Sequence, residues 1–499
     1  MAKVVVIGAG IGGMCTAARL ARLGHEVEIF EASDRTGGKC RTEWIGDYAF
    51  DTGPSLLTLP AVFKDFFLKT GMRLEKSLTI TPVDPAFSYH FADGVIIDFP
   101  NLSLTKICDS IESALGKSAA DEWHALMQRA ETMWDLARGP FIESELGSIF
   151  SLILRKNFIS DLMQISPLTS LRRYTKKFTQ ESHLQMITER YATYTGSDPR
   201  KVPAVLLSIA FMETTFGAWH LKGGVGQLSQ AIEERCIKLG VKIHLNSLIS
   251  EITVKSASAS GVKLAGGRVV DSDIVVANAD AELVYNKLLP FKLKQVNSER
   301  RKLKRATKSL AGFSLLLGLD NSKIDGDAPI MNHHSVYFPK DYGAEFNDIF
   351  LKKQPVADPT IYICSPNDSS MVARPGLENW SVLVNAPRHD PETGMDWNIG
   401  AAEYAKTIIS KLDALGLRVS ERLDVLEIRT PLDLQESVHA PGGSIYGTSS
   451  NGPRSAFLRA KNRSPLPGLY CVGGSAHPGG GLPLVGISAE LVAAAIGPA

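Results

Sequence analysis

The sequence predicts an α/β fold carrying an inserted α+β domain, on three observations. A β-branched run, a glycine-rich turn and an apolar helix-like stretch follow one another at the N-terminus. This α/β alternation breaks off near residue 80 and resumes near residue 222. A second glycine-rich turn then feeds an uncharged, helix-like run at the C-terminus. Residues 1–80, 222–290 and 431–499 are therefore expected to form one discontinuous nucleotide-binding domain. Residues 81–221 and 291–430 are expected to form the insert. At 499 residues the chain is too long for a single hydrophobic core.

Lys3 to Ile7 reads as a buried parallel strand, and Met14 to Leu23 as a helix stopped by Gly24. Between them lies Gly8-Ala9-Gly10-Ile11-Gly12-Gly13. Glu26 to Phe30 is the next strand, and Glu31 follows its end. This is a Rossmann-like βαβ unit. Gly8 serves the tight turn, Gly10 admits a pyrophosphate to the backbone, and Gly13 lets helix and strand pack closely. Ile11 and Gly12 lie in the turn before the helix, whose N-terminus offers free N–H groups and a positive dipole end to phosphate. Glu31, with Ala32 beside it, can accept hydrogen bonds from both ribose hydroxyls and would repel a 2′-phosphate. Arg35 to Thr42 adds Gly37 and Gly38 for close backbone approach, with Lys39 and Arg41 to neutralise phosphate.

Net charge is +1, from 54 basic and 53 acidic residues, so nothing global calls for a nucleic-acid partner. Six scattered cysteines form no Cys-x-x-Cys pair, which argues against a metal or disulfide framework and fits a reducing compartment. No leader-like pattern precedes the first strand, so a cytoplasmic location is expected. Ser464 to Ala489 lacks Asp, Glu, Lys and Arg, but four prolines exclude a spanning helix.

Asp51 to Ser55, including Pro54, is a turn-rich break. Ala86 to Phe91 and Val95 to Ile97 flank Asp93-Gly94 as a β-hairpin. Leu102 to Gly196 is mainly helical by pattern, with basic-apolar stretches at Ile153 to Lys156 and Leu171 to Phe178. Asn286 to Leu310 repeats that pattern, with nine basic residues against one acidic residue. Such stretches suit either a solvated face or peripheral attachment to an anionic membrane. Gln227 to Leu239 is a helix, Val241 to Leu245 and Glu251 to Val254 are strands, and Gly266-Gly267 is a hairpin turn. Asp273 to Asn278 is a further strand. Gly312 to Leu319 and Trp380 to Asn385 show strand-like apolar alternation in the insert. Gly468 to Ser475 reads as a strand ending on Gly473-Gly474, followed by a glycine-rich loop with His477, Leu484 and Val485, and a helix from Gly486 to Ile496.

The Arg35 to Thr42 stretch resembles the second dinucleotide motif of glutathione-reductase and amine-oxidase type flavoproteins. The whole constellation is similar to the FAD-dependent carotenoid desaturases, the bacterial-type phytoene desaturases and hydroxycarotenoid relatives. It comprises Gly8 to Gly13, Arg35 to Thr42, Asp51 to Ser55, Gly217 to Gly224, Gly442 to Gly447 and Gly473 to Gly486, in family order. Gly474-Ser475 departs from the acidic residue that many related FAD enzymes carry there.

The resemblance implies FAD, with the Asp51 to Ser55 loop near the flavin ring, Ile249 near the adenine, and Ala277 and Asn278 near the cofactor. It implies that a long acyclic polyene loses a hydride to flavin N5 and a proton to a base or solvent, inside an apolar tunnel. Oxygen or a quinone would reclaim the electrons. A saturase, isomerase or oxygenase on the same scaffold is the alternative outcome, and a flavin-free isoprenoid-binding chaperone the alternative class. Trp219 and His220 could line the tunnel, although packing serves Trp219 equally well. His477 is the candidate proton acceptor or redox-tuning donor, against a loop-fixing role. Glu213 in its apolar run is a base with a raised pKa or a paired structural carboxylate.

Overall fold

The computed structural model describes residues 1–147 and 158–499. The basic-apolar stretch at Ile153 to Lys156 lies outside the described residues.

Five parallel strands form one sheet, in the order Leu469–Cys471, Ile274–Ala277, Lys3–Ile7, Glu26–Phe30, Lys242–His244. Its strands come from the beginning, middle and end of the chain. Side chains alternate across the central strand. Val4 and Val6 enter one apolar cluster, Val5 and Ile7 the other. Both faces are therefore covered, as a parallel sheet requires. On the first face Ile11–Arg22 packs against Gly226–Lys238 and the C-terminal helix Leu482–Ile496. The second face meets the antiparallel strands Ile249–Lys255, Ser258–Leu264 and Val269–Asp271.

A second, seven-stranded mixed sheet runs Leu423–Arg429, Ala311–Asp320, Leu377–Ala386, Ile361–Cys364, His334–Tyr337, Phe87–His90, Ile96–Phe99. All its pairings are antiparallel except His334–Tyr337 with Phe87–His90. The helices Leu104–Leu115, Lys117–Phe141, Ser182–Arg190 and Ser208–Phe216 pack on it around Trp123, Met133 and Phe99. Ala401–Ala414 covers another part around Phe313, Trp380 and Trp397.

Two helix starts differ from the sequence expectation. The first helix begins at Ile11, with Gly10 as its N-cap, rather than at Met14. The last begins at Leu482 rather than Gly486. Pro483 sits in its first turn, where a missing N–H leaves no intrahelical bond unmade. No described helix is long and apolar enough to cross a membrane.

Candidate cofactor site

The N-terminal glycines and the C-terminal loop meet at one side chain, Asn278. Its strand, Ile274–Ala277, lies between Lys3–Ile7 and Leu469–Cys471 in the sheet, so Asn278 leaves the sheet edge midway between the two turns. A methyl group built on Gly10 would lie 2.9 Å from Asn278 Nδ2. One on Gly12 would lie 2.7 Å from Asn278 Oδ1, 3.1 Å from Val485 Cγ1 and 3.2 Å from Gly473 Cα. One on Gly473 would lie 2.7 Å from the same Oδ1. A methyl on Gly13 would collide with the Gly8 carbonyl. The starts of the first and last helices thus meet at Asn278, where only glycine fits. Both direct first-turn N–H groups and positive dipole ends there.

Glu31 lies on the side of the second strand. Its Oε2 accepts from Ala9 N at 2.6 Å, and its Oε1 from Ser33 N at 2.9 Å and Ser33 Oγ at 3.0 Å. The carboxylate is therefore oriented beside the Gly8–Gly10 turn, with Ala32 half-buried next to it. Ser247 N donates to Glu31 O at 2.7 Å, bringing the start of the Ile249 strand alongside. Ile249 itself is buried.

Gly37 N donates to Ala9 O at 2.9 Å, and a methyl on Gly38 would lie 3.3 Å from Gly10 Cα. The second glycine pair therefore abuts the first. Arg41 braces its own loop, donating to Ser33 Oγ, Arg35 O and Thr36 O. Lys39 Nζ donates to Ile445 O at 2.7 Å. Burial lowers its pKa to about 8, with Asp280 pulling the other way. Lys39 thereby ties the second glycine pair to the Gly442 to Gly447 stretch.

Ser55 Oγ is 2.8 Å from Tyr362 OH, which is 2.8 Å from His334 Nδ1. Pro54, just before it, is half-buried. Ala277 accepts from Val472 N at 3.0 Å, linking two strands beneath the cleft. Gly474 O accepts from Arg459 Nη1 at 2.7 Å. Leu484 lies over Gly479 in the C-terminal loop.

His477 is 3% exposed, and its Nε2 lies 2.9 Å from Ser144 O in the helical layer. Its own carbonyl accepts from Asn462 Nδ2 and Ser488 Oγ. Burial lowers its pKa, so the ring is neutral near pH 7. This geometry suits the loop-fixing role. Trp219 Nε1 donates to Phe216 O at 2.7 Å, and the ring packs on the first apolar cluster. His220 Nε2 sits 2.9 Å from Asp368 Oδ2 and borders a cleft of about 440 Å³. That cleft has a mixed lining, with Lys222, Asn332 and Asp368 beside Pro82, Val83 and Met331. Glu213 is a paired carboxylate. It accepts from Tyr191 OH at 2.8 Å and Tyr194 OH at 2.9 Å, and burial raises its pKa against the neighbouring Arg190.

Sequence reasoning missed Arg459 and Asn462. Arg459, 6% exposed, donates to the carbonyls of Tyr446, Thr448 and Gly474. Asn462 Nδ2 bonds Cys471 O, His477 O and Ser488 Oγ. Together they hold the C-terminal glycine loop against the sheet. Neither lies in a periodic pattern, so no one-dimensional signal marks them.

Residues 11–342 match the family of flavin containing amine oxidoreductases. A 4,4′-diapolycopene oxygenase of Methylomonas sp is 30% identical over 98% of this chain and 97% of its own length. A 1-hydroxycarotenoid 3,4-desaturase of a Flavobacterium sp. is 30% identical over 99% and 98%. A redesigned putrescine oxidase shares the fold at a TM-score of 0.66 and 13% identity, over 99% and 98%. The glycine turn at the first helix start and the oriented Glu31 carboxylate fit a dinucleotide with a free ribose 2′-hydroxyl, and FAD is the cofactor. The chain belongs to the flavin containing amine oxidoreductases, in the group of carotenoid desaturases.

Proposed function

We propose that the protein desaturates a long acyclic carotenoid. The observation that carries this reading is full-length similarity to relatives named as carotenoid desaturases, joined to a glycine turn suited to FAD. When bound, FAD supplies a hydride acceptor. The chain's own residues do the rest. Gly8 to Gly13 and Glu31 hold the adenosine diphosphate end. Pro54 and Ser55 stand on the loop assigned to the ring. The C-terminal helix, with Leu484 and Val485 in its first turn, points its positive dipole end toward the same region.

An apolar substrate needs an apolar wall. Val205, Leu206, Ile209, Phe211 and Met212 are apolar yet only half-buried, on and just before the helix Ser208–Phe216. Val205, Leu206, Ile209 and Phe211 pack against the same apolar cluster as Leu56, which follows Ser55. This band supports a polyene site that excludes water from the reacting carbons. Peripheral attachment to membrane is part of the proposal. Met163, Leu168 and Phe291 are 74%, 85% and 89% exposed and suit a lipid surface. Oxygen or a quinone is the proposed electron acceptor.

The test is expression in cells that accumulate an acyclic carotenoid, with product identification. Longer conjugation supports desaturation, and an unchanged chromophore contradicts it. A second reading, oxygenation, is favoured by the Methylomonas relative's name. Labelled oxygen gas separates the two, since only oxygenation places label in the product.

A further inference from the structure

We propose that His333, His334 and Cys364, which adjoin the Ser55 loop, form a binding site for a zinc-class divalent cation. One ligand atom from each of these three residues lies within 4.8 Å of the other two. Strand register creates the juxtaposition. His334 and Cys364 are directly opposite partners in the antiparallel pair His334–Tyr337 and Ile361–Cys364, and His333 immediately precedes. Ser365 N donates to His333 O at 2.9 Å, which continues the pairing and holds His333 in place.

One of the three separations already matches coordination. His333 Nδ1 lies 3.7 Å from Cys364 Sγ. Metal–sulfur and metal–nitrogen bonds of about 2.3 and 2.05 Å at a tetrahedral angle put their ligand atoms about 3.6 Å apart. The donor set is two imidazoles and a thiol, which suits a borderline-soft ion better than magnesium or calcium.

A second observation points to a ligand. His334 is 0% exposed, and its Nε2 has no hydrogen-bond partner among the described residues. An unpaired imidazole nitrogen in the interior is costly, and a cation would relieve that cost. An outer shell is also present. His334 Nδ1 is 2.8 Å from Tyr362 OH, which is 2.8 Å from Ser55 Oγ. Such a bond fixes the orientation of a ligating ring.

Protonation is compatible. Burial, with neighbouring His220, lowers the His333 pKa to about 3, and burial lowers that of His334. Both rings are therefore neutral and able to coordinate. Burial raises the Cys364 thiol, so without a cation it keeps its proton. On binding, the sulfur–hydrogen bond breaks, the proton passes to solvent and the sulfur–metal bond forms. His333 borders the 440 Å³ cleft, which supplies an entry path and room for a water as fourth ligand.

The experiment uses flavin-loaded protein treated with a chelator and then titrated calorimetrically with zinc chloride. One saturable site per chain is expected, and Cys364→Ser should weaken it more than about 100-fold. Tyr362→Phe should weaken it about 10–100-fold, the usual effect of losing an outer-shell partner. Cys108→Ser, at a distant helix, should leave it unchanged. Cobalt in place of zinc should give tetrahedral ligand-field bands to the red of the flavin absorption. Should Cys364→Ser fail to fold, His333→Asn on the half-buried ligand serves in its place. Absence of saturable binding, or binding that both ligand variants leave intact, overturns the proposal.

Discussion

Replacing Glu31 by Gln tests the cofactor cleft at its best-defined polar group. The carboxylate presents one oxygen to Ala9 N at 2.6 Å and the other to Ser33 N and Oγ at 2.9 and 3.0 Å. Glutamine keeps the shape but offers one acceptor oxygen. Either the Ala9 or the Ser33 donor must then face an NH₂ group. A hydrogen bond to a charged group contributes about 1.5–3 kcal/mol. If FAD binding requires this turn to be ordered, losing one such bond weakens binding about 10- to 100-fold, at about 1.4 kcal/mol per decade. The assay is quenching of flavin fluorescence on titrating FAD with apoprotein, alongside flavin content after purification. A dissociation constant within about twofold of the parent would refute the reasoning, because the turn would then be independent of Glu31.

Further substitutions probe other parts of the account. Gly12→Val should abolish flavin retention while the chain stays folded by circular dichroism, since its side chain would enter the space between Gly473 and Val485. His477→Gln should keep bound flavin and most turnover but lower the melting temperature, a loss of about 1–3 kcal/mol from the Ser144 contact. Loss of turnover with flavin intact would instead restore a proton-transfer role to His477. Asp51 is buried with its pKa raised to about 7, mainly by desolvation. The folded state therefore holds a proton that the unfolded chain releases near pH 4, and stability from this group falls as pH rises from about 4 to 7. Asp51→Asn can keep the bonds from Thr42 Oγ1 and Val225 N. It should gain about 2–4 kcal/mol over the parent at pH 8, at about 1.4 kcal/mol per pH unit, and nothing at pH 4. Denaturant midpoints at the two pH values check this, and equal gains at both would contradict it. Leu206→Trp should fill part of the half-buried apolar band and reduce turnover of a polyene without releasing flavin.

Local order in the sequence made the βαβ unit legible, because strand, turn and helix signals there are contiguous and mutually consistent. Lys3–Ile7 and Glu26–Phe30 form where β-branched runs predict them. Asn278 could be placed only at a strand end by reading along the chain. Its position at the hub of both glycine turns depends on three strands lying side by side that are hundreds of residues apart. Arg459 and Asn462 were illegible for the same reason, since their partners lie in loops, a strand and a helix that only the fold brings together. The His333–His334–Cys364 cluster was likewise hidden. The cysteine spacing argued against a metal framework, whereas cross-strand register supplies a nearness that spacing cannot encode. The last helix begins four residues earlier than its expected start at Gly486, with Pro483 in a tolerant first-turn position.

The central claim is that a bound polyene reduces the flavin held between the two glycine-lined helix starts. Anaerobic mixing of the yellow protein with acyclic carotenoids in liposomes, followed by flavin absorbance, tests it most directly. The account predicts bleaching within the first turnover, at one polyene oxidised per flavin, and recovery of colour when oxygen or a quinone is added. Persistent yellow colour across the panel, with the carotenoids demonstrably bound, would contradict it.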